Sequence, residues 1–454
     1  MKEEPARAIL IGAGDRGGIY ASFALRNPKK LRIVAVADPM RERRERIASA
    51  HRIPASEVFA SWKDILTRPQ IAEGAIIATQ DRMHREPAVA ALERGYTVLL
   101  EKPMALSAQE CGAIVEASER CGRAVSICHV LRYTAFYRTV RRLIDEGVLG
   151  DVYQIYHAEN VPYYHMAHSF VRGNWGNSER SSPMILAKCC HDFDLLYWFA
   201  GSEPKTIGSF GGLSHFRREN APDGALERCT DGCPVARECP FDAVSTYCEG
   251  LPIKRELAGF SPQPIAMAAR FLLAFPGISR LVPGLRGFVE WREWPTSAIT
   301  DELSREGVLK ALREGPYGRC VYRCDNDQVD HQAAIIEFKN GITAMLSMHG
   351  HGHRWERTIR IDGARGTLRG IFGSGGGLEF YPHGAGKRIV YPIKSDIIGH
   401  DEGDQGVMEN FVQVLRGAEG LSSARESMTS HLMAFAAHRS RIEGRIVELE
   451  KAFD

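Results

Sequence analysis

Three groups of residues in this chain could do chemistry by their type and spacing. The first is Gly12-Ala13-Gly14-Asp15-Arg16-Gly17, which follows the apolar run 6–11 and leads into a helix-compatible stretch, 18–25. Asp38 ends a second apolar run, 31–37, and stands 26 positions after Gly12. Strand, glycine turn, helix, strand and acid in that order make a dinucleotide-binding unit. Gly12 permits the tight turn, Gly14 lets a pyrophosphate approach the backbone, and Gly17 lets the helix pack close to the strand. The helix N-terminus presents unpaired N–H groups and its positive dipole end to the phosphates. Asp15 and Arg16 lie in the same turn and are assigned to the cofactor set. Asp38 suits the adenosine ribose hydroxyls and favours NAD, while Arg41 and Arg43 nearby leave NADP open, since a guanidinium can pair with a 2′-phosphate.

The second group is Lys102 and His191. Oxidation of an alcohol by a nicotinamide needs an acceptor for the hydroxyl proton and a cation or donor for the developing alkoxide. Lys102 offers a compact charge at a strand end, with a salt bridge to Glu101 as its structural alternative. His191 starts an apparent helix, 191–199, and an imidazole with an ordinary pKa of about 6.5 suits proton exchange near neutrality. The third group is Cys229, Cys233, Cys239 and Cys248, followed by Cys320 and Cys324. Thiolates suit Zn²⁺ or an iron–sulfur cluster, and the best ligand set is Cys229, Cys233 and Cys239 with Cys320 or Cys324 as the fourth. The spacing matches no standard zinc or ferredoxin set, and reduced, partly buried thiols are the alternative.

These residues need elements to position them. Strands are predicted at 74–79, 97–100 and 124–128, alternating with helices at 85–94 and 107–120, the latter opened by a capping box of Ser107 and Glu110. Strands separated by helices make a parallel, doubly wound sheet, whose functional groups gather at the carboxyl ends of the strands. Asp38, Thr79, Gln80, Glu101, Lys102 and His129 all stand at such ends. Beyond position 152 the pattern changes to shorter strands at 152–159, 206–210, 332–338, 343–349, 358–362, 367–371, 378–381 and 388–392. Turn signals such as Asn340-Gly341 and Asp362-Gly363 separate several of them, which reads as an antiparallel meander closed by helices at 403–415 and 423–443.

Taken in order, Gly12-x-Gly14-x-x-Gly17, Asp38, Ala78-Thr79-Gln80-Asp81-Arg82-Met83-His84, Glu101-Lys102-Pro103, His129-Val130-Leu131-Arg132-Tyr133 and Cys190-His191-Asp192-Phe193-Asp194 resemble the Gfo/Idh/MocA family over about the first 200 residues. The resemblance implies an α/β fold of two domains. A dinucleotide-binding domain at 1–130 precedes a substrate and oligomerisation domain at 131–454 built on a large, mostly antiparallel sheet, here with a Cys-containing insertion at about 211–318. It implies an NAD(P)-dependent oxidoreductase acting on a sugar, cyclitol or glycoside, assembled as a homodimer or homotetramer through the open sheet. It also implies that Lys102 lies near the nicotinamide ribose and the substrate hydroxyl, and that His191 holds the family's catalytic histidine position. His84 and Glu101 join the cofactor set, and Arg132 and Tyr133 match a pair near the domain junction. Tyr133 is read equally as interdomain packing. His400-Asp401 is placed towards the substrate crevice by the same likeness.

This chain departs from the family pattern at one point. The aspartate expected four residues before the histidine is Ala187, with Lys188 next to it. Lys188 then serves as a second cation or, if desolvated, a base, or else Asp192 or Asp194 orients His191. Tyr163, Tyr164, His165 and His168 lie in a predicted loop, 160–168, that could line a sugar site, with Asp194, His129 and Arg132 as further substrate contacts. The row His349-x-His351-x-His353 shares one strand face, read as a polar wall or interface more readily than as a metal site. The departure keeps two other functions open: a glycosidase that oxidises transiently and eliminates without net redox change, and a dinucleotide-binding regulator without catalysis. A metal scaffold built on the cysteines is a third rival.

The composition sets limits on partners. The 454 residues carry 58 Lys plus Arg against 56 Asp plus Glu, a net charge of +2, which gives no reason to expect a nucleic-acid or membrane-surface partner. No signal-like leader is apparent, and the most apolar stretch, 265–288, is interrupted by Arg270, Pro276, Arg280 and Pro283. The expectation is a cytoplasmic protein whose eleven cysteines are thiols or metal ligands.

Overall fold

The computed structural model describes residues 4–260, 263–275, 291–373, 375–393 and 401–452. Its first sheet contains β1 (Ala6–Ile11), β2 (Leu31–Ala37), β3 (Val58–Phe59), β4 (Gly74–Ile77), β5 (Thr97–Leu100) and β6 (Val125–Ile127). All pairings are parallel and the order is β3-β2-β1-β4-β5-β6. Helices cover both faces, so β1, β4 and β5 are buried on both sides and appear in the sequence as unbroken apolar runs. The strand order reverses between β1 and β4, which opens the crevice for a ligand at their carboxyl ends.

The first helix runs Asp15–Arg26, three residues longer at its start than predicted, because Gly14 already serves as N-cap and Gly17 lies inside the first turns. The predicted capping box is present: Ser107 accepts from the Glu110 N–H at 3.2 Å, and Glu110 accepts from the Leu106 N–H at 3.1 Å. The edge strand β3 and the helix Ala135–Asp145 were not predicted. Two residues are too few for an alternation to register. The helix, however, carries Phe136, Tyr137, Val140 and Leu143 at helical spacing on its buried side.

The second sheet contains β7 (Val152–Pro162), β8 (Pro204–Gly212), β9 (His331–Phe338), β10 (Thr343–Gly352), β11 (Glu356–Gly363), β12 (Gly366–Gly373), β13 (Gly377–Pro382), β14 (Ile389–Tyr391) and β15 (Val447–Glu448). Its order is β14-β13-β12-β11-β7-β10-β9-β8-β15, antiparallel throughout except for β7 on β10. The predicted meander is therefore split: β7, from far earlier in the chain, inserts between β10 and β11. The predicted loop at 160–168 is a strand end followed by helical turns, Tyr163–His165 and Met166–Arg172, whose side chains are largely buried.

The closing helices, Asp401–Leu415 and Ala424–Glu443, return to the first sheet. Ile127 N–H donates to Ser422 O at 3.0 Å, and a Cβ on Gly74 would lie 2.8 Å from Phe411, so the end of the chain packs directly against β4 and β6. Between β8 and β9 the insertion builds its own small core from Ala243, Tyr247, Cys248, Val308 and Leu312. Residues 276–288 of the most apolar stretch lie outside the described residues, as does His400. Among the described residues no helix is long and apolar enough to cross a membrane.

The predicted metal site is not formed. Cys229, Cys233, Cys239 and Cys320 do line one small cavity, but among the described residues no three His, Cys, Asp or Glu side chains are placed to hold an ion. All eleven cysteines are free thiols. Burial pushes the Cys239 thiol up to about 11 and the Cys229 thiol upwards. The buried Arg172 guanidinium supplies the positive charge here, with Nη2 3.6 Å from Cys229 Sγ. His349, His351 and His353 lie on or just beyond β10, with His351 and His353 exposed, and take no part in an ion site.

Candidate active site

The glycine turn has the shape its sequence demands. Gly12 has φ +91°, and a Cβ there would lie 2.5 Å from Ala78 O. A Cβ on Gly17 would lie 2.0 Å from Gly12 O. At Gly14 the nearest atom to such a Cβ is Arg43 Nη1 at 3.6 Å, so this side of the turn is open and can admit a pyrophosphate. Asp38 is held at its lip, accepting from Ala13 N–H at 2.7 Å and Met40 N–H at 2.8 Å. A carboxylate has about four acceptor positions, so two remain for ribose hydroxyls. The turn, its open side and the fixed acid together fit a dinucleotide.

Several residues assigned to the cofactor brace the turn instead. Arg16 Nε donates to Glu101 at 2.6 Å, and its Nη1 donates to Asp404 at 3.0 Å. Glu101 also accepts from Tyr20 Oη at 2.6 Å and from Lys102 N–H at 2.8 Å. Burial alone would push the Glu101 carboxyl up, but Arg16 and Lys102 beside it hold it below the usual range. Arg16 and Glu101 therefore lock the phosphate turn to β5 and to the closing helices. His84 is buried and bridges Pro103 O at 2.7 Å and Thr79 O at 3.1 Å, joining the ends of β4 and β5. Thr79 and Gln80 stay at the lip, half-buried and exposed.

Lys102 meets the helical segment that carries His191. Its Nζ donates to Ala187 O at 3.0 Å. Lys188 follows directly, and its Nζ lies 3.3 Å from Glu159 Oε1. His191 is buried, with its ring edge-on to His129 at 5.6 Å between centroids. Burial, then Arg132 and Lys102, push the His129 imidazole well below its usual range, so it is neutral. The structure thus brings together Lys102, Lys188, His129 and His191 at the carboxyl end of β5.

The remaining assigned residues have protein partners of their own. Asp194 takes Arg132 as a buried partner through two bonds of 2.6 and 2.8 Å, and Arg132 also donates to Leu421 O at 2.9 Å. Asp192 accepts from Arg357 Nε at 2.8 Å and pairs with His157 Nε2 at 2.7 Å. Both carboxylates are committed because a buried ion needs a partner. Tyr133 Oη donates to Asn410 at 3.0 Å, on the closing helix Asp401–Leu415. Tyr164 Oη donates to Glu256 at 2.6 Å and His165 packs on Trp294 at 4.8 Å, so these two face the insertion.

Glu159 and Arg357 were missed by sequence reasoning. Arg357 Nε lies 2.7 Å from Glu159 Oε2, and both residues are essentially unexposed. A signal was present: Ile155, His157, Glu159 and Val161 share the buried side of β7, so two ionisable residues occupy core positions of an alternating strand. Arg357→Met strands two carboxylates in the core and is expected to cost about 3–5 kcal/mol, read by denaturant unfolding.

Two buried imidazoles make stability sensitive to acid. His431 Nε2 accepts from Met104 N–H at 2.8 Å, while its Nδ1–H donates to Ser427 O at 2.6 Å. His168 Nδ1 pairs with Tyr247 Oη at 2.9 Å. Burial pushes both down to about 3. Between that value and an unfolded pKa of about 6.5 the unfolded chain binds the additional protons, so stability falls as pH falls. Unfolding free energy is expected to drop by at least about 2.7 kcal/mol per pH unit below pH ~6, since the buried His129 acts in the same direction, and a flat profile from pH 7 to 5 would contradict this.

Comparison with known proteins agrees with this geometry. Residues 6–129 match a model described as oxidoreductase family, NAD-binding Rossmann fold, and residues 137–231 match one described as GFO/IDH/MocA C-terminal domain. The chain is 29% identical over 229 residues to inositol 2-dehydrogenase 4 of Saccharopolyspora erythraea, covering 50% of this chain and 62% of that protein. It is 27% identical over 207 residues to 2,7-anhydro-N-acetylneuraminate hydratase of Escherichia coli, covering 45% and 53%. The chain therefore spans about half the length of the curated relatives it matches. An oxidoreductase from Agrobacterium radiobacter, solved with NAD+, L-tartaric acid and magnesium, shares the fold at a TM-score of 0.65 and 13% identity, covering 98% of each chain. The two GFO/IDH/MocA models match in order between residues 6 and 231, on a chain that carries a parallel nucleotide sheet and a large, mostly antiparallel second sheet.

Proposed function

We propose that this protein is an NAD(P)-dependent oxidoreductase that transfers a hydride between nicotinamide and the hydroxyl-bearing carbon of a sugar, cyclitol or glycoside. The observation that carries the reading is the Lys102 Nζ bond to Ala187 O, which joins the end of β5 to the segment bearing His191. When bound, the nicotinamide supplies the hydride acceptor. Lys102 stabilises the developing alkoxide as an ammonium held by the Ala187 carbonyl. His191 takes the hydroxyl proton, and Lys188 adds a second positive charge. Gly12, Gly14 and Gly17 receive the pyrophosphate, and Asp38 holds the adenosine ribose.

Asp38 favours NAD over NADP, because a 2′-phosphate would face its carboxylate. Arg43, close to Gly14, lowers that discrimination. Asp38→Ala is expected to raise the KM for NAD by ~10-fold and that for NADP by much less, measured with both cofactors. Equal losses for both would remove Asp38 from cofactor choice.

The outer face of the second sheet supports assembly into a homodimer or homotetramer. Phe210 is 77% and Ile335 51% exposed there. Eleven unpaired cysteines support a reducing, cytoplasmic setting.

A panel of sugars, cyclitols and glycosides tests the function. Stoichiometric NADH production supports the dehydrogenase. Release of a leaving group without net NADH supports redox-neutral elimination, a second reading favoured by Lys188 beside Lys102 and by the hydratase relative. Dinucleotide binding with neither outcome would favour a regulator.

A further inference from the structure

We propose that Glu159 is a positioning residue of this site, whose buried carboxylate on β7 keeps the Lys188 ammonium protonated and directed beside Lys102. The inference rests on the functional reading above for its catalytic consequence, and on geometry alone for the charge arrangement. Lys102 donates to the Ala187 carbonyl, and Lys188, next in the chain, is near enough to feel the Lys102 charge. The Lys188 side chain is only 13% exposed. Like charges in a poorly hydrated place favour loss of a proton from one of them, and burial acts on Lys188 in that direction.

Glu159 opposes that loss. It is completely buried, with Oε1 3.3 Å from Lys188 Nζ and Oε2 2.7 Å from Arg357 Nε. Arg357 in turn pairs with Asp192 at 2.8 Å, and Asp192 with His157 at 2.7 Å. The result is a line of alternating charge from Lys188 through Glu159 and Arg357 to Asp192. Arg357 faces Glu159 and Asp192 together, and the other oxygen of Glu159 is turned to Lys188.

The groups facing this line come from several elements. Lys102 follows β5, Glu159 and His157 lie on β7, Arg357 on β11, His349 on β10, and Asp192 and His191 on the helix Cys190–Ala200. Burial lowers the Lys188 pKa, Glu159 raises it, and Arg357 and Lys102 lower it again. Glu159 thus supplies the principal attraction against two repulsions. Once Glu159 is neutralised, Lys188 deprotonates, and the site keeps Lys102 as its ammonium. A second donor for the oxyanion is lost over the upper part of the pH range.

The test follows the Lys188 side chain directly, in the full chain saturated with NAD and labelled with ¹³C at lysine Cε. Lys188→Met identifies its signal. Glu159→Gln is expected to lower the Lys188 titration midpoint by about 2 units, the scale of losing one close opposite charge. A shift below about 0.5 unit overturns the proposal. If Glu159→Gln fails to fold, Glu159→Asp carries the test, because a carboxylate withdrawn by one methylene must move the midpoint the same way. With a substrate in hand, Glu159→Gln is also expected to move the alkaline limb of the kcat profile down in pH and to lower kcat by ~10-fold at pH 9, an effect absent in the Lys188→Met background. Failure of every substrate in the panel would sink the functional reading while the titration still decides the role of Glu159. A midpoint that does not move would sink Glu159 and leave the dehydrogenase intact.

Discussion

Lys102→Ala is expected to lower kcat/KM for the best substrate by more than ~100-fold, the scale of removing a preorganised charge from a developing oxyanion. The dinucleotide dissociation constant is expected to stay within about twofold, because the turn that receives the phosphates is braced by Arg16 and Glu101 rather than by the Lys102 side chain. The fold should tolerate the change, since the half-buried Nζ has the Ala187 carbonyl as its hydrogen-bond partner. Single-turnover measurement of NADH formation separates chemistry from product release. A loss smaller than about tenfold would remove Lys102 from the mechanism. Lys102→Arg is expected to recover little, because a planar guanidinium does not replace a compact ammonium in a site of this size.

The second large effect concerns two glycines only three positions apart. Gly14 has φ −70°, a conformation open to any residue, and the nearest atom to an added Cβ is 3.6 Å away. Gly14→Ala is therefore expected to fold with a Tm within about 2 °C of the parent. Its methyl nevertheless occupies the space where a pyrophosphate must approach, so NAD affinity is expected to fall by at least ~30-fold, measured by calorimetry or fluorescence titration. Gly17→Ala behaves oppositely. Its Cβ would stand 2.0 Å from Gly12 O, so the helix must move away from the strand, at a cost of about 1–3 kcal/mol or more in stability. Equal damage to stability from both variants would mean that the open side of the turn is not a ligand site.

Legibility differed sharply between the two sheets. β1, β2 and β5 fell on their predicted residues, because parallel strands covered on both faces are continuous apolar runs. The strands of the second sheet were found, but their neighbours were not: the insertion of β7 between β10 and β11 depends on residues about 200 positions apart, as with Asn160 and Glu356 in adjacent strands. The helical run from Tyr163 was read as a loop because its aromatic residues and histidines suggested a ligand wall. The insertion buries those side chains.

Local order in the chain was enough for the phosphate turn and Asp38, while the placing of Lys102 with His191 came from the family resemblance. Each of these depends on a short motif at a strand or helix end, where backbone geometry requires a particular residue type. Folding alone decided which ionised groups pair. Arg16 reaches Asp404 across 388 positions and Arg132 reaches Asp194 across 62, while Glu159 on a strand answers Lys188 in the turn between two helices. Such pairs are required by burial, since a charge removed from water must find its opposite through space. That requirement leaves no period in the sequence, so the electrostatic half of the site appears only once the strands and helices are assembled.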